Sequence, residues 1–408
     1  MTTVGLDSLS TLADARRHLR DACTGHGRTE RNPVADAAGR VLAEDVAADR
    51  QVPHYRRAAM DGYAVRAQDT FGASERSPAT LTVSDAVDTD MAVQVHTGSA
   101  VPDGADAVVM VERTERRDGS LLVYDAVAEG ENVAPAGEDV DTDQHLLDAG
   151  SRLRASDLAL LRATGHDAVS VAQRPKVCVV PTGEELVDAS EEPGPGEIVE
   201  TNGLLVSTLA EAWGGTATYR DVVTDDPDAL AGAIERDTDH DVVVTTGGSS
   251  VGERDLVADV VDDRGDLLFH GVALKPGHPV GAGVVDDTLV LMLPGYPVSC
   301  LVTAVQFLRP AIAWLQDTTP PAHPTVTGEL TAKLRSDPGE RTFARVRFVD
   351  DAGEAPRVEP VRVSGAGVMS SVSMADGWVE IPESREGVPA GGEVEVQEWE
   401  APRPNGDD

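Results

Sequence analysis

The sequence predicts a multidomain α/β plus β protein, with a central doubly wound α/β domain, an inserted β-rich module, a discontinuous helical N-terminal domain and a small C-terminal β-barrel. Three observations predict it. The 408 residues are more than one hydrophobic core supports. Residues 175–316 alternate strand-like and helix-like patterns, which is typical of a parallel sheet with crossover helices. The stretches 79–148 and 325–400 consist of short strand-like runs separated by turn signals.

Helical periodicity recurs in two stretches that are far apart along the chain. Residues 7–30 are predicted to be helical, because apolar side chains from Leu9 to Ala22 recur at near-helical spacing, with Ser10 or Thr11 as candidate N-caps; residues 155–164 return to the same period. We therefore interpret the β-rich stretch between them as an insertion into a discontinuous domain. The predicted domains are residues 1–48 with 147–170 (N-terminal), 49–146 (inserted β-rich module), 171–318 (central α/β) and 319–408 (C-terminal β-barrel).

The α/β domain is organised around the stretch Asp241–Asp255, which reads DVVVTTGGSSVGERD. A β-branched apolar run that suits a buried strand leads into Gly247, Gly248, Ser249 and Ser250, and a helical pattern follows. The backbone N–H groups of such a turn, together with the serine hydroxyls, can bind a phosphate or another oxyanion. A plain turn explains the same glycines equally well when the stretch is taken alone.

Other polar residues also follow predicted strands of this domain. Glu185, Asp225 and Asp255 lie in loops after strands, and so does the stretch Pro294–Ser299. Because the carboxyl ends of parallel strands share one edge of a sheet, we expect these loops to line a common ligand crevice. Carboxylate oxygens are ligands that Mg²⁺ prefers. The domain is therefore predicted to bind a phosphorylated ligand together with a divalent cation.

The charge composition makes nucleic acid an unsuitable partner. The formal net charge is −37, with acidic residues spread along the whole chain, whereas phosphate contacts require a basic surface. Lysine occurs only at Lys176, Lys275 and Lys333. We interpret this composition as halophilic adaptation to a cytosol at molar salt, where the Debye length falls to ~3 Å. A lysine in such a background is a stronger candidate for a binding site than usual.

Cysteine use and hydropathy predict a cytoplasmic protein. Cys23, Cys178 and Cys300 have neither the spacing of metal ligands nor that of a disulfide framework, which fits a reducing compartment. No apolar run approaches the roughly eighteen residues of a membrane span. The N-terminus lacks the basic and apolar regions of a signal peptide. We therefore expect no membrane partner.

Short motifs extend along nearly the whole chain. They are, in order, Met60–Ala64 (MDGYA), Thr97–Gly98, Pro102–Val109 (PDGADAVV), Gly137–Asp139 (GED), Thr182–Leu186 (TGEEL), Thr201–Asn202, Gly247–Gly252 (GGSSVG), Lys275–Gly277 (KPG) and Leu293–Ser299 (LPGYPVS). Each is weak alone, and Asp61 with Gly62 reads locally as a simple turn. The ordered series resembles the molybdopterin molybdenumtransferase family, that is, the MoeA proteins and the E-domain of gephyrin.

The resemblance implies a homodimer whose active site lies between the central domain of one subunit and the β module of the other. It implies insertion of molybdate into the dithiolene of adenylylated molybdopterin with release of AMP. Carried over by position, Glu185, Asp225 and Asp255 hold Mg²⁺ or orient the pterin phosphates. The residues implied to bind the pterin or the oxyanion are Asn202, Gly247, Gly248, Ser249, Ser250, Lys275, Pro294, Pro297 and Ser299.

The β module is implied to supply Asp61, Thr97 and Asp139 across the dimer interface, and these residues with Lys275 form the expected catalytic set. Other molybdenum cofactor enzymes are a further class of partner that the resemblance admits. A molybdopterin adenylyltransferase, which resembles the central domain alone, a gephyrin-like scaffold and a tungstate-inserting variant remain alternatives.

Two positions depart from the family pattern. His278 stands where a second lysine is common, and Tyr296 replaces a frequent asparagine between two prolines. The first change removes a fixed positive charge from the expected anion site, since histidine is charged only when protonated. Both positions therefore bear on ligand selectivity.

Overall fold

The structure is a computed structural model that describes residues 9–248, 256–349, 356–361 and 367–400. The chain divides into two units, one made of Met1–Thr29 with Ala172–Asp408 and the other of Glu30–Val171. The α-helices are α1 (Leu12–Ala22), α2 (Ala155–Ala163), α3 (Asn202–Ala212), α4 (Pro227–Arg236), α5 (Leu256–Arg264), α6 (Pro297–Thr303), α7 (Arg309–Trp314) and α8 (Ser370–Ser373). The strands are β1 (Thr29–Pro33), β2 (Val46–Ala47), β3 (Arg57–Ala58), β4 (Gly62–Val65), β5 (Ala79–Val83), β6 (Met91–Val95), β7 (Ala107–Met110), β8 (Thr114–Arg117), β9 (Ser120–Val123), β10 (Val133–Ala134), β11 (His145–Leu147), β12 (Ala168–Ala172), β13 (Lys176–Pro181), β14 (Leu186–Val187), β15 (Ile198–Val199), β16 (Thr216–Tyr219), β17 (Val242–Thr246), β18 (Asp266–His270), β19 (Leu274–Lys275), β20 (Gly281–Val285), β21 (Thr288–Leu293), β22 (Thr325–Leu330), β23 (Leu334–Arg335), β24 (Arg341–Val349), β25 (Arg357–Pro360), β26 (Gly377–Ile381), β27 (Gly387–Val388) and β28 (Glu393–Gln397).

A six-stranded sheet in the order β16-β13-β17-β21-β20-β18 forms the centre of the first unit. The strands β16, β13, β17 and β21 run parallel, whereas β20 and β18 are antiparallel to their neighbours. All five residues of β17 are buried, as its continuous β-branched run predicts. The carboxyl ends of the parallel strands lie at one edge of this sheet, where ligand sites of open α/β sheets form.

Helices cover both faces of the central sheet. The side chains of Val242 and Val244 pack in one hydrophobic cluster with α3 and α6. The intervening Val243 packs on the opposite face in a second cluster with α4 and α5. Successive residues of a strand point to opposite faces, so β17 contributes to both clusters. The predicted doubly wound α/β arrangement is confirmed.

One core helix has the length and composition of a membrane span. Among the described residues, Pro297–Trp314 forms an 18-residue helical window with mean hydropathy 1.2, so the prediction that no apolar run approaches this length was wrong. Of this window, 83% is buried inside the protein, as in the core helix of a globular domain. Phe307 is fully buried there, and its ring centroid lies 5.5 Å from that of Phe269.

Helix α1 packs into the same core although it begins the chain. Its N-cap is Thr11, whose Oγ1 accepts a hydrogen bond of 3.1 Å from the Asp14 N–H, which confirms one of the two candidate caps. Leu12 and Leu19 are buried in the cluster shared with the central sheet. The helix ends at Ala22, earlier than predicted, because the following glycine-containing stretch is a poor helix former. The predicted domain boundaries stay a prediction.

The C-terminal region forms a closed barrel. The strands β24, β25, β22, β28 and β26 pair in that order, and β26 also pairs with β24 to close the ring. Trp378, on β26, is fully buried, stacks on Trp399 at 4.7 Å between ring centroids and donates its Nε1–H to Gln397 Oε1 at 2.9 Å. The predicted small C-terminal barrel is confirmed.

The second unit, Glu30–Val171, is built around a sheet in the order β7-β4-β6-β5-β9-β8. Its strands pair antiparallel, except that β5 and β6 are parallel. Buried side chains of Tyr63, Leu81, Val109 and Leu121 fill one side of this sheet. The β-rich character that the sequence predicts for this stretch is confirmed.

Candidate functional site

The end of β13 positions two polar side chains beside each other. The Val223 N–H donates to Pro181 O at 2.8 Å, and the Gly183 N–H donates to Val223 O at 3.1 Å. This backbone pairing holds Asp225, two residues further on, near Thr182. A Cβ built on Gly248 would lie 3.2 Å from Thr182 Oγ1 and 3.5 Å from Asp225 Oδ1, so both side-chain oxygens lie close to this glycine.

The Gly247–Gly248 turn follows β17 at the same edge. Both residues have positive φ, +143° and +65°, which side chains other than hydrogen disfavour. A Cβ on Gly247 would also lie only 2.1 Å from Thr182 O, so the close approach of the two loops requires glycine there. The Gly247 N–H donates to Leu293 O at 3.0 Å and thereby ties the turn to β21.

The loop after β21 lies against this turn. A Cβ on Gly295 would be 3.4 Å from Gly247 Cα. Asn202, the first residue of α3, donates its Nδ2–H to Gly295 O at 2.7 Å, which fixes the orientation of the amide. Pro294 precedes Gly295, while Pro297 begins α6 and Ser299 is buried in its first turn. The structure therefore brings together the expected binding residues of β17, α3 and the β21–α6 loop.

Asp225 lies near two other carboxylates, those of Glu184 and Glu185, which repel its negative charge. Burial raises the pKa of the Asp225 carboxyl, and the neighbouring Glu185 and Glu184 carboxylates raise it further. The Glu185 carboxylate bends back towards the main chain, because a Cβ on Gly183 would lie 2.8 Å from Glu185 Oε2. Hard oxygen donors that repel each other suit a divalent cation such as Mg²⁺.

Several buried polar atoms of the same edge are left without a partner. Thr182 Oγ1, Asn202 Oδ1, Asp225 Oδ1, Thr245 Oγ1 and Thr246 Oγ1 have no hydrogen bond within the part of the chain that the structure describes. Thr182, Thr245 and Thr246 are each 1% exposed. Buried polar groups in folded proteins are nearly always hydrogen-bonded, so such a group is a place where a ligand, ion or water completes the site. The donor set thus fits a polar ligand with a cation.

Lys275 is exposed at β19 and forms an ion pair. Its Nζ lies 2.6 Å from Asp337 Oδ2, and the hydrogen bond to Asp337 raises the pKa of Lys275 while it lowers that of Asp337. Two residues on, a Cβ built on Gly277 would lie 3.4 Å from Ser299 O, so the Lys275 segment contacts the start of α6.

In the second unit the structure joins Asp61 to Thr97. Asp61 Oδ1 accepts hydrogen bonds from the Thr97 N–H at 2.6 Å and from Thr97 Oγ1 at 2.9 Å, and these bonds lower the pKa of the Asp61 carboxyl. Asp139 lies in an exposed loop, where its N–H donates to Val52 O at 3.0 Å. Among the described residues, the Asp139 side chain has no hydrogen bond or ion pair with Asp61 or Thr97.

Three expected site residues lie outside the described part of the chain. These are Ser249 and Ser250, after the Gly247–Gly248 turn, and Asp255, before α5. Their assignments stay predictions, as do the roles of the other expected site residues.

Known proteins match this chain along nearly its whole length. Three family models match in order, namely the MoeA N-terminal region (domain I and II) at residues 10–165, the probable molybdopterin binding domain at 178–314 and the MoeA C-terminal region (domain IV) at 327–399. The molybdopterin molybdenumtransferase of Bacillus subtilis is 32% identical over 388 residues, which is 91% of this chain and 90% of that protein. The molybdopterin molybdenumtransferase 2 of Mycobacterium tuberculosis is 32% identical over 381 residues, 89% of this chain and 93% of that protein.

The chain belongs to the MoeA family. A crystal structure of the MoeA protein from Pyrococcus horikoshii superposes with a TM-score of 0.84 at 33% identity, covering 97% of this chain and 100% of that one.

Sequence reasoning missed two features of this MoeA chain. Thr182 lies in a motif that the sequence analysis used, but it reads as an ordinary β-branched strand residue, and its orphaned hydroxyl is visible only in three dimensions. Asp337 is far from Lys275 in the chain, and only the pairing of β19 with β24 brings the two near each other. A short sequence motif therefore predicts neither the unpartnered Thr182 hydroxyl nor the ion pair between Lys275 and Asp337.

Proposed function

We propose that this chain is a molybdopterin molybdenumtransferase, which inserts molybdate into the dithiolene of adenylylated molybdopterin with release of AMP. The observation that carries the proposal is the set of unpartnered buried polar atoms around Gly247 and Gly248, at the carboxyl edge of the central sheet. This edge lies within the part of the chain that matches the probable molybdopterin binding domain. The relatives named molybdopterin molybdenumtransferase, similar over about nine-tenths of the chain, support the same activity.

The carboxylates of Glu185, Asp225 and Asp255 are proposed to hold Mg²⁺. Support comes from the raised pKa of Asp225 and from its unpartnered Oδ1, because a cation relieves both the repulsion and the missing contact. A bound Mg²⁺ would neutralise phosphate oxygens of the substrate. The chain itself supplies a rigid frame for these groups, since the backbone pairing of Val223 with Pro181 and Gly183 holds Asp225 in place.

Further groups of the same unit are proposed to bind the substrates. Lys275, Ser250 and Ser299 bind the molybdate or phosphate oxyanion, with the Lys275 ammonium as a compact charge that suits a small tetrahedral anion. Asp337 competes with the anion for the Lys275 ammonium, and this exposed pair contributes little to stability. The residues proposed to cradle the adenylylated pterin are Asn202, Gly247, Gly248, Ser249, Pro294 and Pro297.

The second unit is proposed to complete the site of a partner subunit in a homodimer. Asp61 and Thr97 form one hydrogen-bonded group, so they would act together, and Asp139 is proposed as a further catalytic carboxylate. A cytoplasmic location, adaptation to high salt and contact with other molybdenum cofactor enzymes belong to the same proposal.

The decisive experiment follows AMP release by the purified protein in molar KCl with adenylylated molybdopterin, MgCl₂ and sodium molybdate. We expect AMP release that requires both molybdate and the divalent cation, and that Asp225→Asn abolishes. Asp228→Asn is the matched control, because Asp228 is an exposed acid three residues away in the first turn of α4. Absence of molybdate-dependent AMP release, with the pterin intact, would reject the proposal.

A parallel incubation with tungstate tests the choice of oxyanion. Molybdate and tungstate are tetrahedral oxyanions of nearly equal size, so the point charge of Lys275 discriminates between them only weakly. AMP release with tungstate alone would identify a tungstate-inserting enzyme instead.

A further inference from the structure

The Thr182 hydroxyl is a buried group that nothing in the proposed site uses. The residue is 1% exposed, and its Oγ1 has no hydrogen bond within the described part of the chain. A hydroxyl that is buried without a partner costs free energy that an apolar side chain of the same shape would not. This cost disappears when a ligand supplies the missing contact.

The position of Thr182 indicates which ligand that is. Its Oγ1 and Asp225 Oδ1 lie 3.2 and 3.5 Å from one point, the Cβ position of Gly248, and neither atom has a partner among the described residues. The Glu185 carboxylate lies beside Gly183, the next residue along the chain. Thr182 Oγ1 and Asp225 Oδ1 thus lie close to the same glycine, and the Glu185 carboxylate is close enough to Asp225 to raise the pKa of its carboxyl. All three groups are hard oxygen donors.

The geometry assigns the Thr182 hydroxyl to the coordination sphere of the divalent cation held by Asp225 and Glu185. This inference rests on the cation site of the proposed function and adds a neutral oxygen to the two carboxylates. Magnesium binds through few carboxylates and completes its octahedron with other oxygens, so a hydroxyl is a suitable ligand. The rigid pairing of Pro181 and Gly183 with Val223 holds the hydroxyl in place before the cation arrives.

Manganese binding to the full-length protein tests the inference without either substrate. Mn²⁺ is titrated into wild type and variants in molar KCl and followed by electron paramagnetic resonance of the free ion. We expect Thr182→Val to weaken Mn²⁺ binding about tenfold, and Thr182→Ser, which keeps the hydroxyl, to bind nearly as wild type does. Ser207→Ala is the matched control, because Ser207 Oγ is also buried without a partner among the described residues but lies within α3 and has no proposed contact with the cation.

The outcomes separate this inference from the cation site itself. Weakened binding in Thr182→Val alone supports it. Unchanged binding in Thr182→Val, or equal weakening in Ser207→Ala, overturns the role of Thr182 and leaves the carboxylate site standing. Failure of wild type to bind Mn²⁺ overturns both.

Thermal stability provides a second readout. In EDTA, Thr182→Val should melt at or above the wild-type temperature, because the variant no longer buries an unpartnered hydroxyl. With MnCl₂ the variant should gain less than wild type does. A large loss of stability in EDTA would show that Thr182 holds the fold together, and would overturn the inference.

Discussion

Asp225 bears a charge that the folded chain makes unfavourable, because it is half-buried beside two other carboxylates. Its pKa is raised from the ordinary 3.8, so ionisation costs the folded state more than the unfolded state. This cost is absent below pH 3.8 and fully present once the pH exceeds the raised pKa. We therefore expect Asp225→Asn to raise the melting temperature at pH 7 in EDTA, and the gain to shrink as the pH approaches 3.8.

The same variant should respond weakly to Mg²⁺, which stabilises wild type by binding the folded state. Differential scanning fluorimetry with and without MgCl₂ measures both effects, and Asp228→Asn is the control for loss of an exposed acid. A lower melting temperature for Asp225→Asn at pH 7 in EDTA would contradict the charge argument.

Lys275 is proposed to exchange Asp337 for the oxyanion, which makes two substitutions informative. Lys275→Ala should weaken molybdate-dependent AMP release about tenfold to a hundredfold, the loss of one or two charge-assisted hydrogen bonds. Extra molybdate should restore part of the rate. Lys275→Arg should recover only part, because a planar guanidinium fits a small tetrahedral anion less well.

Asp337→Asn removes the carboxylate partner of Lys275 and leaves the ammonium in place. In this variant no carboxylate at position 337 competes with molybdate for the Lys275 ammonium. Half-maximal AMP release should therefore need less molybdate than in wild type. Glu395→Gln, which removes an exposed charge from β28, should leave the molybdate dependence unchanged. If Lys275→Ala has the molybdate dependence of wild type, Lys275 does not bind the oxyanion.

Asp61 is expected to act through its charge. Asn keeps an oxygen that can accept from both Thr97 donors, so Asp61→Asn should preserve the melting temperature and abolish AMP release. Asp85→Asn, at another exposed acid of the same unit, should affect neither quantity. Retained activity together with a large fall in melting temperature would make Asp61 a structural turn residue.

The turn after β17 is a structural element of the site, and glycine substitutions test how tightly it is packed. Gly247→Ala would place a methyl group 2.1 Å from Thr182 O at a φ of +143°, so the strand end must move. We expect a loss of about 3 kcal/mol or more in the free energy of unfolding. Gly232→Ala in α4, where no atom lies within 4 Å of the added methyl, should instead stabilise by roughly 0.4–1 kcal/mol.

Urea titrations in molar KCl measure both glycine variants, because urea leaves the ionic strength unchanged. Equal unfolding midpoints for wild type and Gly247→Ala would mean that the loop carrying Thr182 does not constrain the turn.

The sequence predicted those elements whose pattern reports burial directly. The run Val242–Thr246 is β-branched throughout, and only a strand buried on both faces explains it. The span of α1 was predicted less well, because the helix was predicted over residues 7–30 but ends at Ala22, where the apolar repeat also ends. The core helix Pro297–Trp314 was underestimated, since polar residues such as Gln306 interrupt its apolar run and are nevertheless buried.

Among the candidate site residues, too, some could be predicted from the local sequence and others could not. Asp225 and Gly247 were predicted because loops that follow the strands of a parallel sheet share one edge, where ligands bind. Thr182 and Thr246 did not, because threonine is a common strand residue. Their hydroxyls differ from those of other buried threonines only in lacking a partner, and that property depends on the packing of several segments.

At the scale of the whole molecule, the net charge of −37 is expected to govern how the stability depends on salt. Repulsion among so many acidic groups opposes folding unless salt screens it, and the Debye length falls from ~30 Å at 0.01 M to ~3 Å at 1 M. We expect the melting temperature to be highest in molar KCl and the protein to lose structure in dilute buffer, as followed by circular dichroism.

A neutral osmolyte is the control for this prediction. Sucrose at the same osmolality strengthens burial without screening charge, so it should restore less stability than KCl does. Equal melting temperatures in dilute buffer and in molar KCl would show that the acidic composition has another cause.

The unit Glu30–Val171 is continuous in the sequence and follows α1, and this affects the order in which the protein folds during synthesis. The unit is complete once Val171 has emerged, and β1 and β12 pair at its two ends. It can therefore fold during translation, as domains generally do. Helix α1 is synthesised before this unit, yet its apolar face packs in a core that includes Phe269 and Phe307. Helix α1 can therefore reach its final packing only after the segment that carries these two residues has been synthesised.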